Sequence, residues 1–278
     1  MRIAHVGMST PTDILAEALV NLGHEVEVFR KTDVLKLGTG TPYRGPQHLY
    51  KLRKFDVIHL NAHRLLPFAL ETLIPGRKIV LHHHGCDVLG KGEPRGAQWA
   101  HHRFCNYDLV PWCPGAQVLP LPVEKSVDWS GFENGHVLHG ETAPEKAGTR
   151  HVIDACRNLG VELVRWQSER KLWQHKMELA RVVIGKVSRW HGMPGMTPNE
   201  AMAMGKPVLC WVSERVRRMM PSGLPVVSVT PETLHVELER VLQSRTLREE
   251  LGGRGREYVQ THHDPKLVAE ICAEVYGR

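Results

Sequence analysis

The sequence has no C-x-x-C pair, although it contains six cysteines, at positions 86, 105, 113, 156, 210 and 272. This pattern favours reduced thiols over a disulfide framework. The sequence also has no run of about 18 apolar residues, the length that a membrane-spanning helix needs. The apolar stretch at the first residues is interrupted by Pro11 and Asp13, which makes it too short for a signal peptide. These features together predict a cytoplasmic protein.

Low-complexity segments and blocks of five or six like charges are also missing, which argues against disorder. The composition is 42% hydrophobic and 24% charged over 278 residues, as expected for a globular protein of one large or two ordinary domains. The net charge of +6, with the excess in the first half, is a mild bias towards anionic partners such as nucleotides, phospholipid headgroups or nucleic acid. No dense Lys/Arg stripe with interleaved aromatic residues is present, so nucleic acid is the least favoured of the three.

Short apolar segments alternate with helical segments along the whole chain. RIAHVG (2–7) reads as a strand, a helix with apolar positions from Ile14 to Leu22 follows, and EVEVFR (25–30) reads as the next strand, so the chain begins with a parallel βαβ unit. The predicted strands of the first half continue at 55–60, 77–82, 107–112 and 116–121. A Pro- and Gly-containing linker at 120–135 precedes a second series at 136–140, 161–166, 181–187, 206–212 and 224–229. The pattern predicts an α/β protein with two doubly wound parallel sheets facing across a ligand cleft.

The segment LHHHGCD (81–87) collects three histidines, a thiol and a carboxylate. These residue types are the usual ligands of zinc, but adjacent histidines on a strand point to opposite faces, so His83 could not join His82 and His84 at one ion. A strand end without chemistry and a strand-end functional site are the two other interpretations. Spacing favours these over a metal site, and we predict no metal ligands.

The segment from Trp190 to Val208 has two interpretations. Thr197 followed by Pro198 and Glu200 is the pattern of a capping box, in which Glu200 simply closes the start of a helix. The same geometry offers free amides at a helix start, glycines that allow close approach, and a carboxylate that can accept hydrogen bonds from a ribose. The local pattern does not separate these two interpretations.

The residues from Asn199 to Val208, NEAMAMGKPV, resemble the nucleotide-sugar signature of retaining family 4 glycosyltransferases, which have the GT-B fold. Further segments resemble the family in order along the chain. They are GHEV (23–26), HGCD (84–87), LPLPV (119–123), EKAGT (145–149) and LREELGGRGREYV (247–259). The resemblance implies a first, acceptor-side domain at 1–122, a nucleotide-sugar domain at 123–255, and helices at 256–278 that cross back to the first domain.

The resemblance also implies residue roles. Glu200 would hold the donor ribose, Lys146 would neutralise the donor diphosphate, and His84 would contact the reacting sugar with Asp87 beside it. The donor loop and helix start would be formed by Gly192, Met193, Pro194, Gly195, Met196 and Thr197, and the acceptor side would be lined by Gly7, Met8 and Ser9. Without the resemblance, Lys146 reads as a surface lysine, the turn after Gly7 as an ordinary βα turn, and His82 and His83 as packing residues.

Two positions depart from the family pattern. Gly192 occupies the place of the first glutamate of the Glu-x7-Glu motif, and the arginine that usually precedes the family's lysine has no counterpart in HGETAPEKAGT (139–149). The loss of the first carboxylate is compatible with an unusual donor sugar, with substitution by His191, or with a relative that only binds.

The implied activity is transfer of a sugar from a UDP- or GDP-linked donor to an acceptor hydroxyl, with retention and without a metal or other cofactor. A saccharide or lipid-linked saccharide is the favoured acceptor, and a lipid-linked one would bring the basic first domain to the inner membrane face. The alternatives are a glycosyltransferase that modifies DNA bases and a non-catalytic nucleotide-sugar-binding protein. A nucleotide-sugar epimerase of the same architecture lacks sequence support. The sequence does not indicate an oligomeric state.

Overall fold

The computed structural model describes residues 1–7, 10–29, 51–61, 66–84, 88, 91–124, 135–140, 143–165, 170–189 and 192–278. The chain divides into two compact units. Unit 1 comprises Met1–Pro122 and Pro265–Arg278, and unit 2 comprises Val123–Asp264. Residues 256–264, which the resemblance assigned to the returning helices, therefore belong to unit 2. No helix among the described residues is long and apolar enough to cross a bilayer.

Unit 1 contains a parallel sheet of six strands in the order β2-β1-β3-β4-β5-β6. The strands are β1 (Arg2–Val6), β2 (Glu25–Phe29), β3 (Val57–Asn61), β4 (Lys78–His83), β5 (His102–Cys105) and β6 (Gln117–Val118). The helices are α1 (Thr10–Asn21), α2 (Leu66–Leu73) and, from the far end of the chain, α10 (Pro265–Gly277). Short 3-10 helices span Lys51–Lys54, Arg95–Trp99 and Tyr107–Trp112.

Helix α10 completes the core of unit 1. Its residues Val268, Ala269, Cys272 and Val275 are buried in one cluster with side chains of α1 and of the central strands. The hydroxyl of Tyr276, also in α10, lies 2.5 Å from Nδ1 of His59 in β3. The first unit is therefore built from both ends of the sequence.

Unit 2 contains a parallel sheet of five strands in the order β11-β10-β9-β7-β8. The strands are β7 (His136–His139), β8 (Leu163–Arg165), β9 (Ala180–Ile184), β10 (Val208–Cys210) and β11 (Val227–Ser228). The helices are α3 (Pro144–Ala147), α4 (Thr149–Asn158), α5 (Arg170–Glu178), α6 (Met196–Ala203), α7 (Glu214–Met219), α8 (Leu234–Gln243) and α9 (Arg245–His262).

One predicted strand is wrong. Residues 107–112, YDLVPW, form a 3-10 helix, and the strand between β4 and β6 is instead His102–Cys105. The apolar run of the 3-10 helix is explained by its role in packing, because Leu109 is fully buried against Cys105 and Cys113. Pro111 lies inside this helix, and its missing N–H would have interrupted a ladder in a strand.

Candidate functional site

The carboxyl edge of the unit 1 sheet brings together Gly7, Asn61 and His84. Gly7 follows β1, Asn61 ends β3 and His84 follows β4, so parallel pairing places all three at the same edge. A Cβ at Gly7 would lie 2.8 Å from Cβ of Asn61, so only glycine allows this approach. Sequence reasoning selected Gly7 and His84 but missed Asn61, because its position beside them depends on strand order.

Asn61 orients the ring of His84. The Asn61 side chain is buried, and its Nδ2 donates to the carbonyl oxygen of Val6 at 3.2 Å. Its Oδ1 therefore serves as the acceptor for Nε2 of His84, at 2.8 Å. Because this contact requires a proton on Nε2, a neutral His84 ring presents Nδ1 as an acceptor, which suits a sugar hydroxyl.

Behind His84 lies a row of buried histidine rings, comprising His5, His59 and His82. Ring centroids are 4.2 Å apart between His84 and His82, 5.7 Å between His82 and His59, and 4.4 Å between His59 and His5. Burial lowers the pKa of His5 to about 3 and lowers the pKa values of His59 and His82 well below the usual range, with neighbouring histidines adding to the effect. These three rings are therefore uncharged at neutral pH.

His83 faces the other side of the sheet, as alternation along a strand requires. Its side chain is fully buried, and its Nε2 lies 3.3 Å from Oε1 of Glu93. His82 and His83 are thus both interior, whereas His84 is half-buried at the sheet edge. The predicted site residues Met8, Ser9 and Asp87 lie outside the described residues, as does His191.

The carboxyl edge of the unit 2 sheet holds a second group of predicted residues. The start of α6 packs directly on this edge, since a Cβ at Gly140 would lie 2.8 Å from Thr197 Cγ2, and one at Gly185 would lie 2.8 Å from Pro198 Cγ. Gly140 follows β7 and Gly185 follows β9. Two glycines therefore let the start of the helix approach the strand ends closely.

The start of α6 differs from the predicted capping box. The helix begins at Met196, its N-cap residue is Gly195, and no side chain caps it. Thr197 is the second residue of the helix rather than its N-cap, so Thr197 and Glu200 do not occupy the positions that a capping box requires. The amides of Gly195, Met196 and Thr197 have no acceptor inside the helix, as at any helix start. Glu200, the fifth residue of the helix, is half-buried.

Lys146 lies at the same edge, in the short helix α3. The amide of Val187, which follows β9, donates to the carbonyl oxygen of Ala147 at 2.9 Å, and the Ser188 hydroxyl donates to the carbonyl oxygen of Lys146. Gly148 follows in the left-handed conformation with φ of 77°, and a Cβ there would lie 2.8 Å from Val187 Cγ2. The backbone of Lys146 is thus fixed to the strand end while its side chain is exposed.

The backbone at Gly192 disfavours the glutamate that the resemblance leads one to expect. Its φ is +67°, in the left-handed region, and a Cβ would lie 2.7 Å from both Cβ and Oγ of Ser213. The amide of Ser213 also donates to the carbonyl oxygen of Gly192 at 3.1 Å, which fixes the two segments together. The backbone here is therefore built for glycine.

We expect Gly192→Glu to lower the free energy of unfolding rather than to improve donor binding. The left-handed conformation costs a non-glycine residue about 1–2 kcal/mol, and the contact with Ser213 adds to that. Gly195→Glu is the matched control, because Gly195 has no positive φ and nothing lies within 4 Å of a Cβ there. Urea unfolding of both variants measures the difference. Equal stability of the two variants would contradict this account of Gly192.

His139 is a buried residue of this edge that the sequence did not single out. Its Nδ1 donates to the carbonyl oxygen of Ile184 at 2.9 Å, and its Nε2 accepts from the Thr149 hydroxyl at 2.9 Å. Burial lowers the pKa of His139 to about 4, so the ring is neutral and can make both bonds. His139 joins the start of α4 to the end of β9. The sequence signal that could have identified His139 is a histidine at the end of the apolar strand HVLH.

Solved structures of GT-B glycosyltransferases match this chain over nearly its full length, which confirms the predicted fold class. Sucrose-phosphate synthase from Thermosynechococcus elongatus has a TM-score of 0.67 and 14% identity, covering 99% of this chain and 98% of that chain. HepE from Anabaena, solved in complex with UDP, has a TM-score of 0.67 and 14% identity, covering 100% of both chains. AviGT4, a glycosyltransferase involved in avilamycin A biosynthesis, has a TM-score of 0.63 and 18% identity, covering 100% of this chain and 97% of that chain. No family model and no curated protein sequence matches the chain.

Proposed function

We propose that this protein is a glycosyltransferase that moves a sugar from a UDP- or GDP-linked donor to a hydroxyl of a saccharide or lipid-linked saccharide. The observation that carries the proposal is the arrangement at the carboxyl edge of the unit 2 sheet. The start of α6 packs there against Gly140 and Gly185, and Lys146 lies at the same edge. Support also comes from HepE, whose solved structures include complexes with UDP and with UDP-glucose. In this proposal a nucleotide-sugar donor binds at the carboxyl edge of unit 2.

In this proposal the donor diphosphate lies at the start of α6. Free amides and the positive end of the helix dipole favour an anion there, and the Lys146 ammonium supplies a full positive charge. As the bond between the sugar and the diphosphate breaks, negative charge grows on the leaving phosphate, and these preorganised groups stabilise it without a divalent metal. Glu200, one turn into the helix, accepts hydrogen bonds from the ribose hydroxyls.

We assign the sugar end of the donor to His84. Its Nδ1 accepts a hydrogen bond from a sugar hydroxyl while Asn61 holds Nε2. Transfer with retention follows when the acceptor hydroxyl attacks the face that the diphosphate leaves, with a leaving phosphate oxygen taking the proton of the acceptor. No carboxylate nucleophile is needed in this scheme.

The geometry of Gly192 supports one competing function, a protein that binds a nucleotide sugar without transferring it. The left-handed backbone and the close approach of Ser213 disfavour any side chain at this position, including the family's glutamate. Release of free UDP or GDP from a matching donor in the absence of acceptor would exclude this alternative, because a binding protein leaves the donor intact. Tight binding of an intact donor with no turnover towards any acceptor would favour it.

The Glu200→Ala variant tests the ribose contact. We expect the affinity for UDP or GDP to fall about 10- to 100-fold, which corresponds to losing hydrogen bonds to a charged group worth about 1.5–3 kcal/mol. We expect stability to change little, because the N-cap of α6 is Gly195 and Glu200 is not at the third position of a capping box. Calorimetric titration, with magnesium and manganese omitted, measures the affinity, and thermal unfolding measures the stability.

Glu239→Ala is the matched control for Glu200→Ala. Glu239 is also a half-buried glutamate inside a helix of unit 2, but its Oε1 accepts from Gln243 in α8, away from the start of α6. The control is expected to bind the nucleoside diphosphate as the unmodified protein does. Equal losses of affinity in both variants, or binding that strictly requires magnesium or manganese, would refute the proposed donor site.

A further inference from the structure

Unit 1 contains a second cluster of chemically reactive side chains that the proposed transfer does not use. His83, Glu93 and Cys113 each place one ligand atom within 4.8 Å of the other two. They come from three separate segments. His83 ends β4, Glu93 precedes the 3-10 helix Arg95–Trp99, and Cys113 follows the 3-10 helix Tyr107–Trp112.

We propose that His83, Glu93 and Cys113 bind a divalent cation of the zinc class at this cluster. An imidazole nitrogen, a carboxylate oxygen and a thiolate sulfur form a donor set that suits zinc, whereas magnesium and calcium prefer oxygen ligands alone. Among the described residues, these histidine, glutamate and cysteine side chains place their ligand atoms close enough together to bind one ion. The fourth position is filled by a water molecule.

The distance between the ligand atoms of His83 and Glu93 fits tetrahedral ligation. With zinc bonds to nitrogen and oxygen of about 2.0–2.2 Å, two such ligands lie about 3.4 Å apart around a tetrahedral ion. The separation of His83 Nε2 and Glu93 Oε1 is 3.3 Å. Oε1 of Glu93 is also buried and accepts no hydrogen bond from the described residues, so it retains its capacity to bind an ion.

The electrostatic surroundings agree with an ion at this place. Oε2 of Glu93 is paired with the guanidinium of Arg103, which holds the carboxylate in position and leaves Oε1 directed at His83. Arg103 in turn donates to the carbonyl oxygen of Pro114, next to Cys113. Binding converts the Cys113 thiol to a thiolate and releases one proton, so the ion gains two anionic ligands, the thiolate and the Glu93 carboxylate that Arg103 already pairs through Oε2.

The site is separate from the residues assigned to the sugar. His83 and Cys113 are fully buried, and Glu93 is 15% exposed, so the ion enters from the Glu93 side. The ion would join the end of β4 to the segments before and after β5. His84 is the next residue but faces Asn61 on the other side of the sheet.

Titration of the untagged, full-length protein with cobalt(II) tests the proposal. We expect about one ion per chain to give a thiolate-to-cobalt charge-transfer band, which zinc then removes by displacement. This band is the deciding signal, because the chain has 18 histidines and sites made of imidazoles alone cannot produce it. We also expect zinc to raise the thermal unfolding temperature. A folded protein that gives no band with a stoichiometric amount of cobalt would overturn the proposal.

Two pairs of variants locate the site. Cys113→Ser should abolish the band, whereas Cys156→Ser, at a buried cysteine of unit 2, should keep it. His83→Gln should abolish tight binding, whereas His82→Gln, on the other face of β4, should not. If Cys113→Ser or His83→Gln fails to fold, Glu93→Gln decides, since it removes a ligand from the less buried side of the site. Cobalt binding by Glu93→Gln equal to that of the unmodified protein would overturn the proposal.

Discussion

Lowering the pH from 7 to 5 is expected to destabilise the protein steeply. His5 and His139 have pKa values of about 3 and 4 in the folded protein, and those of His59 and His82 are also well below 6.5, with burial as the main cause. The unfolded chain binds protons at these four rings below about pH 6.5, whereas the folded protein does not. Stability is therefore complete above that pH and is lost as the pH falls towards the folded pKa values.

The expected size of this effect is large. Each ring contributes a slope of up to about 1.4 kcal/mol per pH unit, so His5, His59 and His82 together approach about 4 kcal/mol per pH unit in unit 1, and His139 adds its slope to unit 2. Because a typical domain is stable by about 5–15 kcal/mol, we expect acid unfolding between about pH 6 and pH 5. Urea unfolding midpoints measured at half-unit steps of pH check the slope.

The His5→Leu variant isolates one ring of the row. Both ring nitrogens of His5 are buried and have no hydrogen-bond partner among the described residues, so leucine removes an unpaired polar group. We expect the variant to be about 1 kcal/mol more stable at pH 7 and to have a flatter pH profile. His175→Gln, at an exposed histidine of α5, is the control and should leave the profile unchanged. A His5→Leu profile as steep as that of the unmodified protein would refute this explanation.

The His84→Ala variant is expected to lower the rate of sugar transfer about 10- to 100-fold while the affinity for UDP or GDP stays unchanged. The reason is that the ring accepts a hydrogen bond from the sugar, not from the nucleotide, and such a bond is worth about 1.5–3 kcal/mol in the transition state when charge develops nearby. Initial rates with the intact donor, compared with calorimetric titration by the nucleoside diphosphate, separate the two quantities.

His24→Ala serves as the control for His84→Ala, since His24 is a partly exposed histidine of unit 1 that lies before β2. Its transfer rate should equal that of the unmodified protein. The cobalt band proposed for His83, Glu93 and Cys113 should persist in His84→Ala, because that ring lies on the other face of β4. Equal loss of sugar transfer and of nucleotide affinity in His84→Ala would show that its role had been assigned wrongly.

The sequence predicted the largely buried strands of unit 1 better than the partly exposed strand β5. Strands β1, β3 and β4 are buried along most of their length and read as apolar runs, so their positions were clear. β5 contains His102 and Arg103 and is buried only at Phe104 and Cys105, so it gave no such signal. The apolar run YDLVPW was taken as the strand instead, because short apolar runs do not distinguish a strand from a packed helical turn.

The candidate site was predictable where its residues are close in sequence. The segment from Gly192 to Glu200 is one loop followed by one helix, and the spacing of its residues, together with the family resemblance, was enough to predict a donor site there. Asn61 could not be found in this way, because strand order alone places it beside Gly7 and His84. Thr197 was misread as a cap because the pattern of a capping box does not show whether the helix has already begun at Met196.

The position of α10 in unit 1 has a consequence for the order in which the protein is made. Strands β1 to β6 leave the ribosome first, but the helix that covers Ile3, Leu15 and Phe104 is encoded after the whole of unit 2. At about 5–20 residues per second, the intervening residues 123–264 take on the order of ten seconds to synthesise. During that interval an apolar face of the nascent sheet stays uncovered, so unit 2 can complete its fold before unit 1, and a chaperone has its longest opportunity to bind at the half that was translated first.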